Sequence, residues 1–172
     1  MAAFKSLDWR RLDTFALLIG HGLASVEPES VGPAHAWLSR NGYAVIHLDF
    51  ARGISAVVEQ LGQTLAWEHQ FGYRHDPESR NLAALRDGFR FDIPSESGLV
   101  LDLVSFEEAF RENESWSLGF LAIVSDHSLR ALAQGLRFFA LVHLASDESP
   151  MLERHFEALS VPYPYPFRDV SA

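Results

Sequence analysis

The sequence predicts an α/β protein with a small, mostly parallel sheet and helices packed over it. Three apolar stretches at 43–50, 98–104 and 137–145 are typical of strands in such a sheet. Stretches with helical spacing or capping residues separate them along the chain, and this alternation favours parallel pairing with right-handed crossovers. A further apolar run at 14–19 predicts an extra strand near the N-terminus.

The N-terminal part is interpreted as a strand followed by a helix. Residues 1–13 carry charges and no continuous apolar run, so no signal peptide is expected there. The apolar run at 14–19 ends at Gly-His-Gly, which predicts a turn and lacks the Gly-Lys-Ser/Thr of a phosphate-binding loop. Residues 23–32 are interpreted as a polar connection. Residues 33–40 begin with proline, which is typical of a first helical turn.

Residues 43–65 predict a strand and then an amphipathic helix. Apolar residues alternate with other residues along 43–50, as in a strand with two different faces. From 54 to 65 the apolar residues instead recur at helical spacing. They are Ile54, Val57, Val58, Leu61 and Leu65.

The stretch 71–91 combines an aromatic-glycine turn, a polar loop and a short helix. Leu82, Leu85 and Phe89 lie three and four residues apart and therefore share one helical face, which is expected to point into a core. Ser79 or Asn81 is placed to cap the first helical turn. The residues on the other faces are free to meet solvent or a partner. They are Asn81, Ala83, Arg86 and Asp87.

The C-terminal half predicts a strand at 98–104, a helix at 106–111 capped by Ser105, and a strand at 137–145. Residues 115–134 are predicted to be one long helix, although 118–124 alone is also compatible with a strand. Beyond them, 151–159 is a candidate short helix. The proline-aromatic tail after it is expected to be extended.

Composition narrows the classes of function. The chain has 172 residues, a formal net charge of −9 and a single lysine, Lys5. Because phosphate neutralisation needs clustered lysine and arginine, nucleic acid is not an expected partner. No apolar segment is long enough to span a membrane. The absence of cysteine excludes disulfides and cysteine zinc sites, and it fits a cytoplasmic protein.

Few residues suggest catalysis or metal binding. His69 and His75 are six residues apart and do not match the i, i+4 spacing of a helical zinc pair. His47 and His143 fall within apolar strands and are interpreted as core histidines. Asp102 is expected at a strand end, where it caps or pairs. No Gly-x-Ser-x-Gly motif is present. No catalytic residue, metal or cofactor is therefore predicted.

Residues 43–146 resemble the barstar-like proteins, intracellular inhibitors of barnase-type ribonucleases. The resemblance is carried by Phe71-Gly72 before Asn81-Leu82-x-Ala84-Leu85-x-Asp87, by Leu99-Val100-Leu101-Asp102 before Phe106-Glu107, and by the closing strand Leu141-Val142-His143-Leu144. It implies a domain of three parallel strands. Residues 1–42 would then be a strand–helix extension and 147–172 a short helix and tail, all in one compact unit.

The resemblance also implies a binding site. In that family the helix and its preceding loop block the ribonuclease active site, and helix carboxylates take the place of substrate phosphates. Asp87 falls on the second of those carboxylates, but Ala83 occupies the first position and Arg86 an aromatic one. The loop is also longer, so Asp76 and Glu78 are candidates to supply the missing charge. The full expected surface is Phe71, Tyr73, Asp76, Glu78, Asn81, Ala83, Arg86 and Asp87.

The sequence therefore predicts a non-enzymatic, immunity-type inhibitor of a basic ribonuclease or related toxin. One alternative is a small α/β hydrolase or transferase that uses His69, His75 or Asp102 in a pocket at the carboxyl ends of the strands. Another is an interaction scaffold that has kept the fold without the toxin-binding charges, for which Ala83 is the main argument.

Overall fold

A four-stranded parallel sheet is the centre of the part of the chain that the computed structural model describes, residues 11–74 and 76–145. The sheet order is β1-β4-β3-β2, and every neighbouring pair is parallel. The α/β class with a parallel sheet is thus confirmed. The strands are β1 (Leu23–Val26), β2 (Ala44–Asp49), β3 (Leu99–Val104) and β4 (Phe138–His143).

Seven α-helices accompany the sheet within the described residues. They are α1 (Leu12–Leu18), α2 (Pro28–Arg40), α3 (Ile54–Thr64), α4 (Trp67–Phe71), α5 (Leu82–Gly88), α6 (Phe106–Glu112) and α7 (Glu114–Ala133). Short 3-10 turns at Phe50–Arg52 and Pro77–Ser79 precede α3 and α5. None of these helices is both long and apolar enough to cross a membrane.

The two faces of the sheet pack against different helices. Leu101 and Val142 face a core that is completed by α3, α5, α6 and α7. Val100 and Leu141, one residue away in each strand, face a second core with α1 and α2. This is the two-sided burial that parallel strands require. The helices α1 and α2 thus pack on one face of the sheet, while its edge strand β2 stays partly exposed there.

The predicted strand at 14–19 is wrong, because these residues lie in and just after α1. Positions 12, 13, 16 and 17 are buried, which is a helical and not an alternating pattern. The extra strand exists, but it is β1, within the segment that was interpreted as a polar connection. β1 pairs with β4 at the edge of the sheet, where Leu23 lies opposite Ala140. The following helix begins at Pro28, so Pro33 lies inside it.

The remaining elements largely match their predictions. The strands at 44–49, 99–104 and 138–143 and the helices α3, α6 and α7 are confirmed, and the continuous α7 excludes a strand at 118–124. The predicted cap at Ser105 is wrong. Ser105 has a positive φ of 54°, and within the described residues its side chain makes no capping hydrogen bond. The predicted helix at 151–159 and the tail lie outside the described residues.

Candidate functional site

The short helix α5 has the orientation that its spacing predicts. Leu85 and Phe89 are buried in the main core, and Leu82 packs against it. The cap is Asn81, whose side-chain oxygen accepts hydrogen bonds from the amides of Ala83 at 3.0 Å and Ala84 at 3.1 Å. The capped helix therefore presents its other faces to solvent. Asn81, Ala83, Arg86 and Asp87 are all exposed.

Two aromatic rings extend this surface. The side chain of Trp67 is buried, and the Phe71 ring packs on it with ring centroids 4.7 Å apart. Tyr73 lies beside both, 6.1 Å from the Phe71 ring. Phe71 and Tyr73 remain 39% and 54% exposed. Gly72 ends α4 with a left-handed φ of 75°, which confirms the predicted aromatic-glycine turn.

The loop before α5 is tied to the body of the protein. The Asp76 carboxylate accepts a hydrogen bond from the Glu78 amide at 3.0 Å. Arg80 forms an ion pair with Glu112 at the end of α6. Glu112 also accepts a hydrogen bond from the Ile54 amide at 2.9 Å, at the start of α3. The eight residues expected to contact a partner therefore lie on a supported, exposed surface. We call residues 71–74 and 76–88 the loop–helix surface.

The charge on the loop–helix surface is mixed. Asp76, Glu78 and Asp87 are exposed acids, whereas Arg74 is paired with Glu68 at 3.3 Å and Arg80 with Glu112. Arg86 and Asp87 line one side of an open cleft of about 510 Å³ against α7. The far side of that cleft carries Asp126 and Arg130. The loop–helix surface is therefore not purely acidic, because arginines lie among its acids.

A second polar cluster lies on the opposite face of the sheet, around Asp102. Its carboxylate is fully buried. Oδ1 lies 2.6 Å from Nε2 of His143, and Oδ2 lies 2.7 Å from Nδ1 of His47. Nε2 of His35, from α2, lies 3.0 Å from Oδ2. We call these four residues the His–Asp cluster.

The strands and α2 position the His–Asp cluster. Asp102 is directly opposite His47 in the β2–β3 register, and His143 lies two residues beyond its opposite residue in β4. All three side chains therefore project from the same sheet face. Burial alone would raise the pKa of Asp102, but the hydrogen bond with His143 and the proximity of the His143 and His35 imidazoles have the larger, opposite effect and lower this pKa to about 2. The carboxylate is thus held ionised.

We compared the chain with known proteins. No protein-family model, curated protein or solved structure matches it. The resemblance to barstar-like proteins therefore stays an interpretation of the motifs in 71–107 and 141–144.

The sequence interpretation of the His–Asp cluster was partly wrong. Asp102 is paired, as expected, but it lies inside β3 and not at a strand end. His47 is not a core residue, since 62% of its side chain is exposed. His35 was not singled out at all, because only the packing of α2 brings it to the sheet. One signal was present: His47, Asp102 and His143 are polar residues in β2, β3 and β4, and each lies on the same face of its strand's alternation.

A cavity of about 400 Å³ opens beside His143, at the carboxyl ends of β3 and β4. Pro28, Val31, Val104 and Leu144 give it apolar walls, and the side chains of Glu107 and Arg111 line its edge. Of the other residues considered for catalysis, His69 is exposed on α4 and His75 lies outside the described residues.

Proposed function

We propose that this protein is a non-catalytic, cytoplasmic inhibitor that binds a basic ribonuclease or related toxin through its loop–helix surface. The observation that carries the proposal is the exposure of Phe71 and Tyr73 beside the capped helix α5. Exposed aromatic rings on a supported surface are typical of the residues that supply most of the energy of an interface.

Charge supports the class of partner. The net charge of −9 attracts a basic protein and increases its association rate. On the loop–helix surface, Asp87 is the acid best placed to meet a basic group. Asp76 and Glu78, in the longer loop, supply further negative charge and compensate for the absence of an acid at position 83, where the chain has alanine. Arg86 would favour a partner that also offers an acid near the cleft against α7.

The experiment is co-purification with the product of the neighbouring gene, followed by a ribonuclease inhibition assay that also includes a barnase-type enzyme. We expect Asp87→Ala and the double variant Phe71→Ala/Tyr73→Ala each to weaken binding by about 2 kcal/mol, or about 30-fold in Kd. Glu29→Ala, an exposed acid on α2 and thus on the other side of the sheet, is the matched control. If the wild-type protein inhibits neither nuclease, or if the control weakens binding equally, the proposal is wrong.

One observation favours a second candidate, a small α/β hydrolase or transferase. The cavity beside His143 lies at the carboxyl ends of two parallel strands, where open α/β sheets commonly bind ligands. A histidine that is hydrogen-bonded to a buried carboxylate is a plausible general base in such a site. Catalysis by the purified protein that is lost in His143→Gln but kept in His69→Gln would support this candidate over the inhibitor.

A further inference from the structure

We propose that the His–Asp cluster binds one divalent transition-metal cation of the zinc class. This site is separate from the loop–helix surface, because the cluster lies on the sheet face covered by α1 and α2, whereas α5 packs on the opposite face. The inference therefore does not depend on the proposed inhibitor function. It also goes against the sequence interpretation, which predicted no metal.

The donor atoms are of the right kind. The imidazoles of His35 and His47 and the Asp102 carboxylate form a nitrogen- and oxygen-donor set of the type that zinc, cobalt and nickel take up, and His143 holds the other carboxylate oxygen. Calcium and magnesium prefer all-oxygen sites, so the imidazoles select against them. The carboxyl group is fully buried, and a bound cation would compensate the charge of its carboxylate form.

The donor atoms are also close to a coordinating arrangement. The ligand atoms of His35, His47 and Asp102 all lie within 4.8 Å of one another. The fourth residue, His143, brings Nε2 to 2.6 Å from the other carboxylate oxygen. Ligands about 2.0–2.1 Å from a tetrahedral zinc ion are about 3.3 Å apart, so a cation needs only small adjustments of the rings, with the short contacts to Asp102 lengthening.

The hydrogen bonds within the His–Asp cluster do not involve all of its buried polar atoms. Nε2 of His35 is buried and has no hydrogen-bond partner among residues 11–74 and 76–145, although it lies 3.0 Å from Asp102 Oδ2. A buried ring nitrogen without a partner is costly. A cation between His35, His47 and Asp102 would use that nitrogen as a ligand.

The position of the cluster suits cation exchange with solvent. Asp102 and His143 are fixed on adjacent inner strands, which gives the site a rigid base. His47 lies on the edge strand β2 with 62% of its side chain exposed, and His35 is also partly exposed. A cation can therefore enter from the side of β2 without unfolding of the sheet.

The test uses the full chain after removal of metal with a chelator. Zn²⁺ binding is followed by isothermal titration calorimetry, and Co²⁺ binding by visible absorption, which distinguishes four-coordinate cobalt from the hydrated ion. We expect one cation per chain. His47→Ala removes an exposed ring and should fold, and we expect it to weaken binding by more than about 100-fold, the upper range for residues outside the coordination sphere. Asp102→Asn should have at least the same effect.

His69→Ala is the matched control, because it also removes one exposed imidazole but lies outside the cluster. It should bind the cation like the wild-type protein. Two results would overturn the proposal: no binding of Zn²⁺ or Co²⁺ to the wild-type chain, or equal weakening in His47→Ala and His69→Ala. Circular dichroism of each variant identifies any that fails to fold, and His47→Ala decides the question if Asp102→Asn is one of these.

Discussion

Nε2 of His143 lies 2.6 Å from Oδ1 of Asp102, and the two residues come from adjacent inner strands of a parallel sheet. This contact places a carboxylate in the interior, on the sheet face where the apolar residues Val100 and Leu141 are also buried. A buried charge needs compensation. Here the neighbouring imidazoles provide it, and for this reason the cluster is the most chemically distinctive part of the described structure.

The first prediction concerns stability in the presence of metal. A ligand that binds only the folded state stabilises it by RT ln(1 + [L]/Kd). We therefore expect Zn²⁺ at about 100 times its Kd to raise the free energy of unfolding by about 2.7 kcal/mol. Urea denaturation with and without the metal measures this change. The variant His47→Ala should show no such gain, and a gain of equal size in that variant would place the bound metal elsewhere.

The second prediction concerns a different buried acid, Asp13 in α1. Tyr43 donates a hydrogen bond from its hydroxyl to Asp13 Oδ2 at 2.7 Å, and Arg11 pairs with the same carboxylate at 2.8 Å. Tyr43→Phe keeps the ring contacts with Trp37 and Phe139 and removes only the hydroxyl. Because hydrogen bonds to charged groups are strong, we expect a loss of about 1.5–3 kcal/mol in the free energy of unfolding.

A double-mutant cycle with Asp13→Asn separates this hydrogen bond from general effects of either change. The two substitutions should be less than additive, because Tyr43→Phe removes the donor of this hydrogen bond and Asp13→Asn removes the charge of its acceptor. Additive losses would show that the Tyr43 hydroxyl does not contribute through Asp13. Thermal and urea unfolding at neutral pH are sufficient for all four proteins.

The third prediction is a pH dependence that originates at His127. Its ring packs edge-on against Phe138, with centroids 4.8 Å apart, and its Nε2 is buried with no hydrogen-bond partner in the described part of the chain. Burial, and then the charge of Arg130, lower the pKa of His127 below its usual 6.5. The unfolded state therefore binds a proton more readily than the folded state. Stability should fall as the pH decreases below about 6.5.

His127→Leu removes this titrating group while keeping a side chain of similar volume. We expect the variant to lose less stability than the wild-type protein between pH 7 and pH 5, measured by urea denaturation at each pH. The control is His21→Leu, an exposed histidine in the turn before β1. If His127→Leu and the wild-type protein have parallel pH profiles, His127 is not the source of the dependence.

Elements whose own residues show a clear periodicity or a continuous apolar run were predicted correctly from the sequence. They are the alternating strand 44–49, the apolar strands 99–104 and 138–143, and the helices α3 and α5. The four residues of β1 include Ala24 and Ser25, which have no preference for strands. Only pairing with β4 makes them a strand. The apolar run at 14–19 is too short for its period to distinguish a helix from a strand.

The two candidate sites also differ in how far local sequence predicts them. The loop–helix surface was predictable because its residues are local in sequence and share a helix whose buried face is clear. The His–Asp cluster depends on two facts that no local pattern contains. These are the register that places His47 opposite Asp102, and the docking of α2 that brings in His35.

The fourth prediction tests how α5 is held against the protein. Gly88 is buried at the end of this helix, and a Cβ built there would lie within 2.9 Å of three atoms of the Trp67 ring. Trp67 is the buried ring on which Phe71 packs. Gly88→Ala should therefore displace either α5 or Trp67, and we expect a loss of about 1–3 kcal/mol in the free energy of unfolding, as for other overpacked sites. Partner binding should weaken as well, because a shift of α5, or of Trp67 and the Phe71 ring packed on it, changes the loop–helix surface.

The matched control is Gly32→Ala, at an exposed helical position where a Cβ would meet nothing within 4 Å in the described structure. Alanine favours the helix there by up to about 1 kcal/mol, and the proline that follows at position 33 opposes part of this gain. Its effect on stability should thus be small, and partner binding should be unchanged. Equal losses in the two variants would mean that the Trp67 contact does not determine the position of α5. A loss confined to Gly88→Ala would show that the close approach of this helix to Trp67 fixes the loop–helix surface in place.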